Sequence, residues 1–206
     1  MHNPMWKDAF TDGLKCALPI MAGYVVLGLP CGLLCQQAGM SWAMVAIMSA
    51  IFYSGAGQYM IPNMWLAASP IASIIASVSF VNTRQMLYSA AFAPWCEGVS
   101  KKLAFLFAAT VTDESFGVNM RQFQEGSWDV CRATLVNLCS QSSWTASCVV
   151  GVIIGNAVGI PLSIAAFAMT SIFICLLVTQ KLTGANVVAA LCAMAGVFAC
   201  KLAGLA

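Results

Sequence analysis

The sequence predicts an all-α integral membrane protein, a polytopic helical bundle of about six or seven hydrophobic segments, some broken or re-entrant. Three observations predict it. Of the 206 residues, 61% are hydrophobic and only 8% charged, whereas soluble domains carry roughly 25% charge. Two runs, residues 16–83 and 133–180, contain no charged residue. At about 20 residues per crossing they hold roughly three and two spans. The runs do not alternate as β-barrel strands do, so the backbone must close its hydrogen bonds within helices.

At the start, residues 1–15 predict a short N-terminal interfacial helix. Trp6, Phe10 and Leu14 recur every fourth residue, with Lys7 and Lys15 on other faces. The first apolar run follows Lys7, Asp8, Asp12 and Lys15 and leads into a full-length span, which is not the pattern of a signal peptide.

Residues 16–206 then read as a single transmembrane transport domain, with hydrophobic segments at 16–36, 41–64, 70–94, 103–120, 134–158, 160–180 and 183–206. The first contains Pro19 and Pro30, the second contains Ser54-Gly55-Ala56-Gly57-Gln58, and the third begins at Pro70 and ends at Pro94. Such interruptions free backbone groups that lipid tolerates only where protein covers them or a cavity exposes them. They point to a binding site. Gly28-Leu29-Pro30 and Gly159-Ile160-Pro161 are alike, but a match of three residues in a chain this rich in glycine carries little weight.

The fifth segment places Asn137, Gln141, Trp144, Cys148, Gly151, Gly155 and Gly159 on one helix face. Its G-x-x-x-G-x-x-x-G half is expected to pack closely against another helix. Asn137 and Gln141 serve equally well as interhelical hydrogen bonders or as ligands.

If all seven segments cross once, Lys7 and Lys15 fall on the opposite side from Lys101 and Lys102, against the positive-inside rule. If 41–64 and 103–120 are both re-entrant, Lys7, Lys15, Lys101, Lys102, Arg121, Arg132 and Lys181 all become cytoplasmic.

Composition also excludes. The net charge is only +2, with no basic run or basic-aromatic pattern, so nucleic acid is not an expected partner. The ten cysteines lie mostly inside apolar runs without a histidine-bearing spacing and read as small packing residues, so no metal or other cofactor is expected. No G-x-S-x-G elbow or nucleotide loop is present, and the chain is not expected to be an enzyme or to hydrolyse ATP itself.

Charged residues within apolar segments cost about 2.5–3.5 kcal/mol on insertion scales, so each needs a partner or a function. Arg84 shares a helical stripe with Ser73, Ser77 and Tyr88, and Asp113 and Glu114 sit in the fourth segment. Arg84 can bind a substrate carboxylate bidentately or neutralise Asp113 or Glu114. The two acids can form part of a site or lie at an interface.

Ala17-Leu18-Pro19-Ile20, Tyr53-Ser54-Gly55-Ala56-Gly57-Gln58-Tyr59, Asn82-Thr83-Arg84-Gln85-Met86-Leu87-Tyr88 and Thr112-Asp113-Glu114-Ser115-Phe116, in this order, resemble the AzlC/YgaZ family of branched-chain amino-acid exporters. The resemblance spans most of the chain. It implies a multi-pass permease of the bacterial inner (plasma) membrane that exports valine, leucine or isoleucine, with methionine as a further candidate. It also implies a small hydrophobic partner subunit of the AzlD/YgaH type. Two departures stand out. Relatives commonly have Arg-His where this chain has Arg84-Gln85, and its sole histidine is His2, which puts a histidine proton carrier in doubt. The chain also ends at Ala206, where relatives usually continue, so it is expected to be short or truncated.

The resulting expectation is a mid-membrane amino-acid site formed by Arg84, Asp113, Glu114, Gly55, Gly57, Gln58, Asn82, Tyr88, Tyr24 and Trp144, with Phe52 near the side chain. Arg84 or a freed helix N-terminus at Gly55–Gly57 would hold the carboxylate, and Asp113 or Glu114 the ammonium. Burial favours the protonated form of a carboxyl, so flux is expected to depend on pH through one of the two acids. An ion or small-solute channel, with Ser54–Gln58 as its filter, and a non-catalytic structural membrane subunit are the alternatives.

Overall fold

The computed structural model describes residues 4–126, 128–158, 167, 170, 171, 174, 178 and 183–202, with side chains from Ala9 onward and none at Ala185. Gly159 and nearly all of the expected segment 160–180 lie outside the described residues. The chain divides into two units, Met1–Met169 and Thr170–Ala206. The second contains one described helix, Gly184–Leu202, whose large apolar side chains are exposed.

The first unit is all-helical among the described residues. Its helices are α1 (Pro4–Gln37), α2 (Trp42–Ile51), α3 (Gly55–Leu66), α4 (Ile71–Ala91), α5 (Lys101–Ala109), α6 (Asp113–Gln124) and α7 (Val130–Ala157), with a 3-10 turn at Ala93–Cys96 after α4. We label Gly184–Leu202 α8. Two stretches, Ala9–Gln37 and Val130–Ala157, are individually long and apolar enough to cross a membrane. From Pro4 onward the N-terminal residues belong to the same helix as the first span, which continues through Pro19 and Pro30.

The expected segments 41–64 and 103–120 are each two helices. Ser54 ends the first interruption by accepting from the Gly57 N–H, and Thr112 ends the second by accepting from the Ser115 N–H. These are hydroxyl N-caps, each satisfying a donor that a helix start would otherwise leave unpaired. Asp113 and Glu114 are therefore the first two residues of a helix, where its dipole favours negative charge, and not the interior of a continuous span.

Helix α1 lies along α7 in parallel. Gly13 meets Leu135, Gly28 meets Ser147, Gly32 meets Cys148 and Gly151, and Gly155 meets Gln36. A Cβ on Gly32 would overlap the Cys148 carbonyl, and one on Gly151 the Leu29 carbonyl. Only glycine lets the two backbones approach this closely. This face of α7 is thus covered within the chain and is not a free surface for another subunit.

Helices α2 and α3 do not continue one another across the interruption. The α2 end reaches the middle of α7, where Gln141 donates to the Ser49 and Ala50 carbonyls at 3.3 and 3.1 Å. From there α3 turns back, since Tyr59 donates to the Leu27 carbonyl at 2.6 Å and its ring lies 6.4 Å from Trp144. The pair α5/α6 does the same from the other end. Leu103 and Phe123 both pack with Val130 at the start of α7, while Thr110, between the two helices, receives a bond from Asn137. Helix α4 and its 3-10 turn also end in that aromatic cluster, through Phe92 and Trp95. The described residues of the unit are therefore three long helices, α1, α4 and α7, and two half-helix hairpins whose tips meet near mid-length.

Its surface is inverted relative to a soluble protein. Ile51, Phe80, Met86, Leu87 and Phe105 are largely exposed, while Ser49, Gln58, Ser115, Asn119, Asn137 and Ser140 are fully buried. An apolar exterior around a polar interior is what a lipid solvent requires.

Candidate functional site

The two hairpin tips, residues 52–54 and 110–112, converge on the middle of α1, α4 and α7. Tyr24 of α1 stands between them. Its ring lies edge-on to Tyr53 at 6.3 Å and to Trp144 at 5.3 Å. Its hydroxyl donates to Glu114 Oε2 at 2.6 Å and lies 2.8 Å from Thr112 Oγ1.

From α4, Arg84 Nη2 pairs with Asp113 Oδ2 at 2.9 Å, and Tyr88 donates to Asp113 Oδ1 at 2.7 Å. Both oxygens of Asp113 are engaged, and among the described residues Glu114 has no ion-pair partner. Arg84 Nε is buried without an acceptor. The Tyr53 hydroxyl, beside Tyr24 and Thr112, likewise completes no well-formed hydrogen bond. Unpaired buried donors are costly, each by about 1–3 kcal/mol, and here they border a charged cluster.

The α2/α3 tip is neutral. Ser54 donates to Asn82 Oδ1 at 2.7 Å. Gln58 donates to the Phe52 carbonyl at 2.6 Å and accepts from the Trp144 indole and from Ser49. Gln85 donates to the Tyr53 carbonyl at 3.2 Å. The carbonyls freed where α2 ends are thus satisfied by three glutamines, Gln58, Gln85 and Gln141, as a buried interruption requires. At the α5 end, Asn137 donates to the Phe107 carbonyl at 3.3 Å and Ser89 to the Ala108 carbonyl at 2.9 Å. Asn137 and Gln141 therefore act as hydrogen-bond donors between helices.

The structure brings Arg84, Asp113, Glu114, Tyr88 and Tyr24 together, with Asn82 and Trp144 next to them on the Ser54 and Gln58 side. Gly55 lies 3.8 Å (built Cβ) from Trp144, and Gly57 is packed against Phe52. Of the expected α4 stripe, Ser73 is exposed, and the buried positions are Ile74 and Val78. A groove of about 450 Å³ lined by Val99, Leu103, Val130 and Arg132 contains none of the site residues. Among the described residues no group of His, Cys, Asp or Glu is arranged to hold a metal. Sequence reasoning missed the roles of Thr112 and Ser54 as caps and of Tyr53 as a tip residue. A Thr directly before an acidic pair is a helix-start signal, and it was available at Thr112-Asp113-Glu114.

Described residues that are helical throughout, with an apolar exterior and a half-buried polar site at two helix interruptions, define a helical membrane protein of the transporter class. The comparisons narrow this. The AzlC protein family model matches residues 19–158, and the chain belongs to that family. It is 26% identical over 183 residues to the branched-chain amino acid transport protein AzlC of Bacillus subtilis, covering 87% of this chain and 70% of that one. It is 30% identical over 155 residues to the inner membrane protein YgaZ of Escherichia coli, covering 71% and 61%. An uncharacterized membrane protein of Helicobacter pylori is 27% identical over 181 residues, covering 87% and 78%. No solved structure matches.

Proposed function

We propose that the chain is a permease exporting branched-chain amino acids, valine, leucine or isoleucine and also methionine, across the bacterial inner membrane with a small AzlD/YgaH-type subunit. The observation that carries this reading is one guanidinium and two carboxylates, Arg84 and Asp113 half-buried and Glu114 exposed, gathered between two hairpin tips. In this arrangement Asp113, itself held by Tyr88, keeps Arg84 in place. The unpaired Arg84 Nε meets the substrate carboxylate, Glu114 meets the ammonium, and the apolar side chain lies toward Tyr24 and Trp144. Flux depends on pH through the acids of the α6 start.

A channel is less well supported, because the polar groups of Ser54–Gln58 bond to one another and to Asn82 and Trp144 and do not line an open filter. The covered glycine face of α7 means that a partner subunit docks elsewhere.

Reconstitution with and without the partner, followed by efflux of labelled valine, leucine, isoleucine and methionine, tests the proposal. Saturable efflux with counter-flow is expected. Non-saturable flux favours the channel, and no flux under either condition favours a structural subunit.

A further inference from the structure

Each of the two tips belongs to the same sequence of landmarks. Gly39 and Gly98 both adopt positive φ (82° and 77°) and stand 59 positions apart. Ser41 and Ser100, again 59 apart, cap the next helices by accepting from Met44 and Leu103. Those helices, α2 and α5, have 10 and 9 residues. Ser54 and Thr112, 58 apart, cap α3 and α6, which have 12 residues each. After them Ala68 (φ 54°) and Gly126 (φ 82°), also 58 apart, take the left-handed conformation. Ala68 does so against the ordinary cost of a Cβ there, about 1–2 kcal/mol, and among the described residues it is the one non-glycine that does.

Similar lengths alone would be weak evidence, because helices and short turns recur in any bundle. The contacts decide it. Tyr24, on the long helix of the first set, meets Thr112, the cap of the second hairpin. Asn82, 58 positions beyond Tyr24 on the long helix of the second set, meets Ser54, the cap of the first. Reciprocal contacts of this kind are the mark of a two-fold relation, as in an isologous interface.

Direction fixes the axis. α2 leaves from the C-terminal end of α1, and α3 returns toward that end. α5 and α6 leave from and return to the opposite end, where α4 finishes and α7 begins. Charge separates the same way. The turns 38–41 and 67–70 carry no charged residue, whereas Lys15, Lys101, Lys102, Arg121 and Arg132 all lie toward the other end.

We infer that residues 4–66 and 71–124 are an inverted structural repeat, a crossing helix plus a re-entrant hairpin in each. The hairpins enter the bilayer from opposite faces and close one shared site in alternation, with Asn82–Ser54 and Tyr24–Thr112 as the equivalent closures. The face bearing the lysines and arginines is the cytoplasmic one. The inference rests on the transport reading for the word site, but the arrangement itself does not depend on which solute moves.

The test places single cysteines at Ser41, Ser69, Glu97 and Glu125 in a chain otherwise free of cysteine, and labels cells with a membrane-impermeant thiol reagent before and after permeabilisation. Ser41→Cys and Ser69→Cys are expected to label from outside, and Glu97→Cys and Glu125→Cys only after permeabilisation. Ser41 and Ser69 on opposite faces, or Ser69 and Glu97 on the same face, would overturn the inference. If the cysteine-free chain does not fold, a short epitope inserted in the turn 67–70 or 97–100 of the native chain gives the same reading. Labelling needs no substrate, so a chain that exports no branched-chain amino acid but labels as expected would remove only the transport proposal.

Discussion

The two hairpin tips share one architecture and differ in what they carry. Each ends a half-helix, passes through three residues and starts another half-helix at a hydroxyl cap, Ser54 or Thr112. After the cap, the first tip continues with Gly55 and Ala56 and the second with Asp113 and Glu114. Around the neutral tip the hydrogen bonds form a nearly closed set centred on Gln58. Around the acidic tip a guanidinium and two tyrosines answer the carboxylates. The caps and amides build the interruption, while the two residues after the cap set its chemistry.

The largest effect is expected where charge balance is broken. Arg84→Ala leaves Asp113 without its cation. Removing one partner of a buried pair costs about 3–5 kcal/mol, and this pair, at 29% and 26% side-chain exposure, belongs at the lower end. Monodisperse yield in detergent should fall several-fold, and adding Asp113→Asn should restore most of it. A double variant as poor as the single one would show that the ion pair is not what Arg84 supplies. Arg84→Lys should keep the yield but weaken substrate binding by roughly tenfold or more, since it loses the planar fork.

The neutral tip should fail by a different route. Gln58→Leu strands the Trp144 indole, at about 1–3 kcal/mol, while the Phe52 carbonyl keeps the Ser54 N–H as a donor. The thermal midpoint should drop clearly, with substrate specificity unchanged in the protein that survives. An unaltered midpoint would mean that the Gln58 network contributes little.

An acid placed after the Ser54 cap would make the two tips alike. A Cβ at Gly55 meets only the Trp144 ring, at an ordinary 3.8 Å, so Gly55→Asp should fold. Efflux should nonetheless fall at least tenfold, because a second acidic tip opposes the substrate carboxylate. Efflux at the native rate would argue that the tips do not face a common ligand.

The smallest structural effect belongs to Glu114→Gln, which keeps an acceptor for Tyr24. Stability should hardly change, while the pH dependence of efflux should flatten. A profile identical to that of the native chain would remove Glu114 from proton coupling.

Much of this was legible in the sequence, for reasons that can be named. Long uncharged runs specify a helical membrane protein, and the three isolated charges pointed to the Arg84–Asp113 pairing, because ions in lipid need partners. Gly151 and Gly155 announced close packing, since their spacing puts them on one face. The partner of that face was not legible, because Gly28 and Gly32 on α1 are a long-range match that only the fold reveals. A re-entrant 103–120 is one of the two readings the sequence allows, but the exact break before Asp113 was not legible, because the Thr112 signal counts as a cap only once the helix start is known. The repeat was hidden for a similar reason. Gly39 and Gly98, or Ser54 and Thr112, are equivalent in backbone conformation and capping, while the side chains between them have diverged.

Asn137 and Gln141 are one turn apart on α7, and each holds the end of a different half-helix. Four residues of helix measure about 6 Å, a fifth of a hydrocarbon core about 30 Å thick. Both tips are therefore pinned at nearly the same depth by a single rod. In electrical terms, a unit charge passed from one tip to the other crosses only about 0.5 kcal/mol of a 100 mV potential, out of about 2.3 for the whole membrane. The rest of the drop lies above and below the tips, so the exchange between them should depend only weakly on membrane voltage.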